Sequence, residues 1–471
     1  MSKNQINFEN YQSPFSWRYG SPEMRALFSE INKRKTWRKV WVALAIAQNK
    51  LGLITKNELE AIVKNQENID IEKAHEIEKE IKHDLMAELK TFAAQSGKAG
   101  GKIHLGATSQ DIEDNADIIN FLKALNLVET KLKQLLLVFA QKIEKNKDLV
   151  CMGYTHLQPA EPTTLGYRFA AYAQDLLLDF RFLSYVKTQI KGKGIKGAVG
   201  TSASYHSLLK EKAHNLEDLA LSYLKINSFD ITTQVYPRKI DYLILTVLSS
   251  IAQSLYKFAF DLRILQSPGF GELQEPFGAK QVGSSAMPFK RNPINAEKIC
   301  SLSRIICAHN KVAWENAANS LLERTLDDSA SRRIILPESF LAADEIISQA
   351  KFIVENLAVN QKNIQNNLEK YGPFSGCENL MMQAVKNGAD RQIIHEAIRK
   401  ASLAAWDKIA LEQANPLVKL LKNDKIITKF VKSDQIAQLI NPAKYIGLAP
   451  KRCALFVEKL RLSVKEYKTI S

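Results

Sequence analysis

Three polar clusters in this chain combine residue types and spacings that chemistry can use. The first is Gly283-Ser284-Ser285-Ala286-Met287-Pro288-Phe289-Lys290-Arg291-Asn292-Pro293. Two adjacent hydroxyls, a lysine and an asparagine put donors, acceptors and a positive charge in one short loop. The loop ends a glycine-rich segment (Gly269, Gly271, Gly278, Gly283), so its backbone bends freely. Pro293 starts a predicted helix to about Asn319, whose positive N-terminal end would welcome an anion. The second cluster, Thr155-His156-Leu157-Gln158-Pro159, sets an imidazole, a side chain suited to acid–base chemistry, in a loop between two helical stretches. The third runs from Glu323 to Arg333. Its Arg324 and Arg333, with Ser329 between them, could grip a phosphate or form a surface ion-pair cluster. Read singly, each admits an ordinary role: a solvated linker, a structural histidine, a salt-bridged surface.

The elements that must position these clusters are helices. Ser21-Pro22-Glu23 opens a two-part helical run to Gly52, and Thr55 with Glu58 forms a capping box for another. Ahead of them, Trp17-Arg18-Tyr19-Gly20-Ser21 reads as a docking arm. Lys82-His83-Asp84 stands at the start of a helix reaching about Gln95. His104-Leu-Gly-Ala-Thr108-Ser109-Gln110-Asp111 precedes a very long helix from Ser109 to about Lys147, roughly 58 Å at 1.5 Å per residue. Along it Ile118, Leu122, Leu125, Leu132, Leu136, Phe139 and Ile143 form an apolar seam broken only by Glu129, which implies a bundle or coiled-coil-like partner. Further long helices are predicted over Thr163–Ile190, Lys239–Gln266, Pro293–Asn319 and Arg332–Val359, the last bent at Pro337. His206 and His214 fall on a short helical stretch and read as surface or packing residues. Beyond Asn360 the segments shorten, punctuated by Gly372-Pro373 and Asn415-Pro416. The expected fold is mainly α: an N-terminal helical domain (1–111), a central domain of five long helices (112–361) and a small helical C-terminal domain (362–471).

Composition narrows the function. With 471 residues, 45% hydrophobic and 24% charged, the chain is long enough for more than one ordinary domain and reads as soluble. Its 65 basic and 50 acidic residues give +15, which suits anionic partners. The lysines are scattered, with no basic block or RNA-binding signature, so nucleic acid is not the expected partner. Five separated cysteines argue against a disulfide framework and for a reducing cytosol. The opening MSKNQINFENYQS lacks the apolar run of a signal peptide. The apolar run Tyr242–Tyr256 is too short to span a bilayer, and no membrane association is expected.

Taken together, the motifs resemble the fumarase/aspartase superfamily, in which Gly-Ser-Ser-x-Met-Pro-x-Lys-x-Asn-Pro recurs. Thr108-Ser109-Gln110-Asp111 and Thr155-His156-Leu157-Gln158-Pro159 are similar to its other two signatures, and the resemblance spans nearly the whole chain. Within the superfamily the pattern looks most like adenylosuccinate lyases, through Arg18-Tyr19, Lys82-His83-Asp84, His104 to Ser109, and Arg324 to Arg333. The resemblance implies a C–N lyase that releases fumarate from adenylosuccinate, leaving AMP, and from the succinyl-carboxamide ribotide SAICAR, leaving AICAR. Fumarase and aspartase substrates carry no phosphate and would need no arginine clamp.

That chemistry needs a base, an acid on the opposite face and positive charge for the growing carbanion. By resemblance Ser284 is the base and His156 the acid, with Glu297 orienting the histidine. Ser285 is the competing base, and spacing alone does not separate the two. Thr108, Ser109, Gln234, Lys290 and Asn292 would hold the succinyl part. Arg18, Tyr19, Arg324, Ser329 and Arg333 would hold the nucleotide, while Lys82, His83 and Asp84 line the same pocket. Lys82 and Lys298 stand where relatives often carry arginine, keeping the charge but losing the planar two-point grip. The sequence holds no metal-ligand cluster or dinucleotide fingerprint, so no cofactor is expected. The resemblance also implies a cytoplasmic homotetramer with a twenty-helix core, each active site drawing on three chains.

Overall fold

The computed structural model describes residues 9–466; the first eight residues of the polar opening stretch lie outside that range. The fold is mainly α. Five long helices dominate it: Ser109–Asn146, Leu165–Gln189, Lys239–Gln266, Ile294–Ala318 and Asp327–Asn356. The chain divides into two compact units whose boundaries fall inside or beside these helices.

The first unit comprises Met1–Leu132, Asp179–Gln253 and Ser301–Ser348. Helix Glu30–Lys50 is its spine, because Trp37, Val40, Trp41 and Leu44 recur at helical spacing and are almost wholly buried. Two arginines on that helix are buried as well. Arg34 and Arg38 both donate to the Glu88 carboxylate, at 3.0 and 2.6 Å, and Arg34 also lies 3.8 Å from Glu30 and 3.9 Å from Glu78. The capping box at Thr55 forms as expected, its hydroxyl accepting from the Glu58 amide while Glu58 reaches back to the Thr55 amide. Helix Lys239–Gln266 is long and apolar enough to cross a bilayer, yet just over half of its most apolar stretch is buried inside the chain. Within this unit its Thr246 and Ser250 hydroxyls bond Asn310 and Asp179, as suits a core helix.

The second unit comprises Lys133–Leu178, Ser254–Cys300 and Gln349–Ser471. Phe258 stands at its centre, with the rings of Phe139 and Tyr172 edge-on at 5.6 and 5.4 Å. Two small antiparallel sheets interrupt the helices. β1 (Val150–Thr155) pairs with β2 (Gln158–Thr164), and β3 (Leu273–Gln274) with β4 (Ala358–Val359).

Several expectations change. The His156 segment is a β-hairpin and not an irregular loop; its two prolines sit in an edge strand, where a missing N–H costs little. The fifth long helix begins at Asp327, five residues earlier than expected, because Asp327 and Asp328 favour its first turn; Pro337 lies inside it. Gly372-Pro373 does not break the chain, since helix Gln361–Ser375 runs through both. The seam is also satisfied internally. Ile118, Leu125, Leu132, Leu136, Phe139 and Ile143 are fully buried within one chain, and Glu129 meets Lys187 at 3.0 Å. Those residues require no second copy.

Candidate active site

His156 stands at the tip of the β1–β2 hairpin. Thr155 pairs with Gln158, leaving His156 and Leu157 as a two-residue connection, with φ of 54° and 59°. A tight hairpin turn of this kind wants left-handed backbone at both central positions, and glycine or asparagine usually supplies it. Placing histidine and leucine there stores strain and presents the imidazole to solvent. Gly153 makes the hairpin possible at the bulge between Met152 and Tyr154, where a Cβ would meet the Glu161 carbonyl at 2.6 Å.

The Ser284 loop is closed at its neck. The Asn292 side-chain amide donates to the Gly283 carbonyl at 2.8 Å, and the Lys290 amide donates to Met287 O at 3.0 Å. A Cβ on Gly283 would lie 1.9 Å from Lys290 O, so only glycine fits. Ser284 Oγ accepts the Met287 N–H at 3.1 Å. A donor on that oxygen favours its ionised form, and no such amide bond reaches Ser285 among the described residues.

The helix end behind this loop is already occupied. Glu275 accepts from the Asn295 and Ala296 amides at 3.1 and 3.0 Å, capping helix Ile294–Ala318 with the chain's own carboxylate. Burial pushes the Glu275 carboxyl up, and the two amides offset this only in part. Lys290 and Arg291, both exposed, are therefore the loop's cations for a developing negative charge, and Arg291 lies over the Phe277 ring at 5.6 Å. Glu297 lies 4.0 Å from Arg263, and Lys298 donates to Gln349 at 2.8 Å.

In the first unit, Arg324, Ser329 and Arg333 line one cavity of about 210 Å³. Ser329 and Arg333 are one turn apart on the fifth long helix, and Arg324 just precedes it. Both arginines are held by carboxylates. Asp328 accepts from Arg324 at 2.8 Å, and with its other oxygen from the buried Arg238 at 2.8 Å. Burial pushes the Asp328 carboxyl up, but Arg238 and Arg324 outweigh this and hold it below the usual range. Asp84 likewise accepts from Arg333. Its neighbours Lys82 and His83 are exposed, Lys82 as a left-handed helix cap and His83 accepting the Met86 amide at 3.4 Å.

The remaining expected residues occupy ordinary but well-defined places. Arg18 stacks over Trp17 and Tyr19, and the arm is fastened by Arg25, which donates to the Tyr19 and Gly20 carbonyls at 3.2 and 2.5 Å. Ser109 opens the first long helix, where Asp111 accepts the Thr108 amide at 3.0 Å. The Gln234 amide donates to Glu323 O at 3.2 Å, tying its segment to the stretch before the arginine cluster. The cavity lined by Arg324, Ser329 and Arg333 has neither His156 nor Ser284 among its lining residues.

Comparison with known proteins gives this geometry a family. Residues 18–307 match the family model described as lyase, and residues 373–455 match that of the adenylosuccinate lyase C-terminus. The chain is 39% identical to the adenylosuccinate lyase of Saccharomyces cerevisiae over 96% of this chain and 95% of that protein. It is 35% identical to that of Archaeoglobus fulgidus, over 93% and 96%. The chain belongs to the adenylosuccinate lyase family.

Membership places it in the fumarase/aspartase superfamily and makes it a C–N lyase acting on a small molecule. A solved 3-carboxy-cis,cis-muconate lactonizing enzyme from Pseudomonas putida superposes with a TM-score of 0.85, covering 95% of this chain and 99% of that one. A fumarate lyase from Mesorhizobium gives 0.83 over 95% and 99%. At 23% and 22% identity these likenesses concern the fold alone.

Sequence reading missed the groups that hold this lyase's polar residues in place. Arg332, which lines the same cavity as Arg333, donates to Asp241 at 2.7 Å, to Tyr236 Oη at 2.7 Å and to Asp117 at 3.1 Å. Glu113 lines the cavity and accepts from Gln110 at 2.5 Å. Burial first, then Asp84, Asp117 and Asp114, push its carboxyl up to about 8. The signal available was the density of acids in Asp111-Ile-Glu113-Asp114-Asn-Ala-Asp117, four carboxylates within seven residues with no basic residue among them.

Proposed function

We propose that this chain cleaves adenylosuccinate to AMP and fumarate, and SAICAR to AICAR and fumarate, in purine nucleotide biosynthesis. The observation that carries the reading is the clamp: Arg324, Ser329 and Arg333 in one cavity, both guanidiniums pre-oriented by carboxylates, in a chain 39% identical to a yeast adenylosuccinate lyase. A fixed guanidinium pair suits a phosphate monoester, which fumarase and aspartase substrates lack.

In this mechanism Ser284, as alkoxide, takes the proton from the carbon beside one carboxylate of the succinyl group. The electron pair left behind delocalises into that carboxylate, near Lys290. It then forms the double bond of fumarate as the neighbouring C–N bond breaks. His156, as imidazolium, gives its proton to the departing nitrogen, so one proton is taken and one returned. Thr108, Ser109, Gln234 and Asn292 hold the succinyl carboxylates; Arg18 and Tyr19 join the clamp around the nucleotide; Lys82, His83 and Asp84 border it. Glu297 and Lys298 steady the surroundings.

The enzyme acts as a cytoplasmic homotetramer whose copies bring His156 and Ser284 to the clamp. Supporting association, Leu137, Leu178, Tyr185, Phe260, Trp314, Ile334 and Phe352 on the long helices are each at least 40% exposed in one chain. Five free cysteines suit the cytoplasm. An absorbance assay on purified protein tests the reading: fumarate should appear from adenylosuccinate and SAICAR, and release from argininosuccinate alone would overturn it.

A further inference from the structure

The β1–β2 hairpin is a two-stranded ribbon, and such ribbons are marginal without support. Its tip is left-handed at His156 and Leu157, a conformation that persists only where the surroundings over-determine it. The support converges on one buried carboxylate. Glu272 is wholly shielded from solvent and accepts from Tyr154 Oη at 3.1 Å, from Arg168 at 2.8 Å and from Asn367 at 3.1 Å. Arg168 spends its other end on the hairpin, donating to the Met152 carbonyl at 2.5 Å. The Tyr154 ring meets Phe270 edge-on at 4.9 Å. Glu272 is itself pinned through its backbone, its amide to Leu265 O at 3.0 Å and its carbonyl to the Asn360 amide at 2.9 Å. Three residues later comes Glu275, which caps the helix behind the Ser284 loop. One carboxylate thus joins the hairpin carrying the imidazole at its tip to the segment that enters the serine loop.

We infer that Glu272, acting through Arg168 and Tyr154, is a positioning residue that fixes the His156 hairpin for proton transfer to the leaving nitrogen. The inference rests on the proposed role of His156 as the acid. Glu272 touches no reacting atom. It balances the Arg168 charge, and that guanidinium holds the β1 carbonyl two positions before Tyr154. Removing the charge while keeping the shape leaves Arg168 buried without its counter-ion and the hairpin without its anchor. An error of about 1 Å in a reacting group is enough to cost on the order of a hundredfold in rate.

The test is a double-mutant cycle with Glu272→Gln and His156→Ala, read by steady-state kinetics on adenylosuccinate and by amide hydrogen exchange of the whole protein. Glu272→Gln alone should lower kcat roughly ten- to a hundredfold, with KM changed less than about threefold. Exchange over residues 150–164 should quicken, while that over 324–333 stays as in the wild type. In the His156→Ala background the same change should cost less than about threefold more, because the group being positioned is gone. Tyr154→Phe, which keeps the ring and loses one hydrogen bond, should show the same pattern at a few-fold scale and serves where Glu272→Gln does not fold. Equal losses with and without His156, or unchanged kcat and unchanged hairpin exchange, would overturn the inference. A wild-type protein that releases no fumarate from either purine substrate defeats the functional reading instead, and the exchange result separates the two.

Discussion

Oδ2 of Asp84 lies 2.8 Å from Nη2 of Arg333, 249 residues away along the chain. The aspartate begins a short helix, and the arginine is on the fifth long helix. Burial pushes the Asp84 carboxyl up, but Arg333 and Lys33 more than cancel this and hold it below the usual range. The pair fixes the Arg333 guanidinium, one half of the proposed clamp.

Arg333→Ala should raise KM for adenylosuccinate at least about tenfold with kcat little changed, since a charged hydrogen-bond partner of phosphate is lost. The dephosphorylated succinyl-nucleoside should be affected far less. Equal effects on both substrates would remove the clamp from the mechanism.

Asp84→Asn tests the same pair through stability. A carboxyl held below its unfolded value contributes stability above that value and loses it as pH falls through the folded one. The wild type should therefore lose melting temperature more steeply than Asp84→Asn below about pH 4. Because Arg333 is half-exposed, the difference at neutral pH should be roughly 0.5 kcal/mol.

Glu113 behaves in the opposite sense. Its carboxyl, pushed up to about 8, keeps a proton that the unfolded chain gives up near its ordinary value of 4.5. The folded state thus binds more protons across that window, and stability falls as pH rises from 4.5 toward 8. Glu113→Gln should flatten the melting-temperature profile over this range and stabilise the protein at neutral pH by about 1–2 kcal/mol, allowing for partial exposure. Parallel profiles for the two proteins would show that Glu113 is ionised.

Ser284→Ala should lower kcat by about a thousandfold or more while substrate still binds, as measured by calorimetric titration and turnover. A near-normal rate would move the base to Ser285 or elsewhere.

Core and surface positions on the long helices should separate cleanly. Leu132→Ala, fully buried in one chain, should cost about 2–5 kcal/mol of stability. Leu178→Glu and Tyr185→Glu, at positions 56% and 60% exposed, should leave the chain folded but dissociate the proposed tetramer in sedimentation. If only Leu132→Ala changes the assembly, the apolar surface of the long helices is not the interface.

The sequence alone determined the helices and the chemistry on offer. Apolar period, capping box and helix starts are local signals, and they placed Ser109, Lys239 and four of the five long helices to within about two residues, because hydrogen bonding within a helix involves near neighbours. The eleven-residue loop and the Thr-His-Leu-Gln-Pro string announced a serine and a histidine because each motif is contiguous. Only the tertiary structure decided what lies around them. Nothing local marked the β1–β2 hairpin, whose prolines read as breakers until an edge strand accommodated them. Nothing local assigned the carboxylates either. Glu275 takes the helix end twenty residues ahead of it, Glu272 gathers Tyr154, Arg168 and Asn367, and Asp84 meets Arg333 from the far side of the chain. A buried charge must find its partner wherever packing brings one, and that choice depends on the folded path and not on sequence spacing.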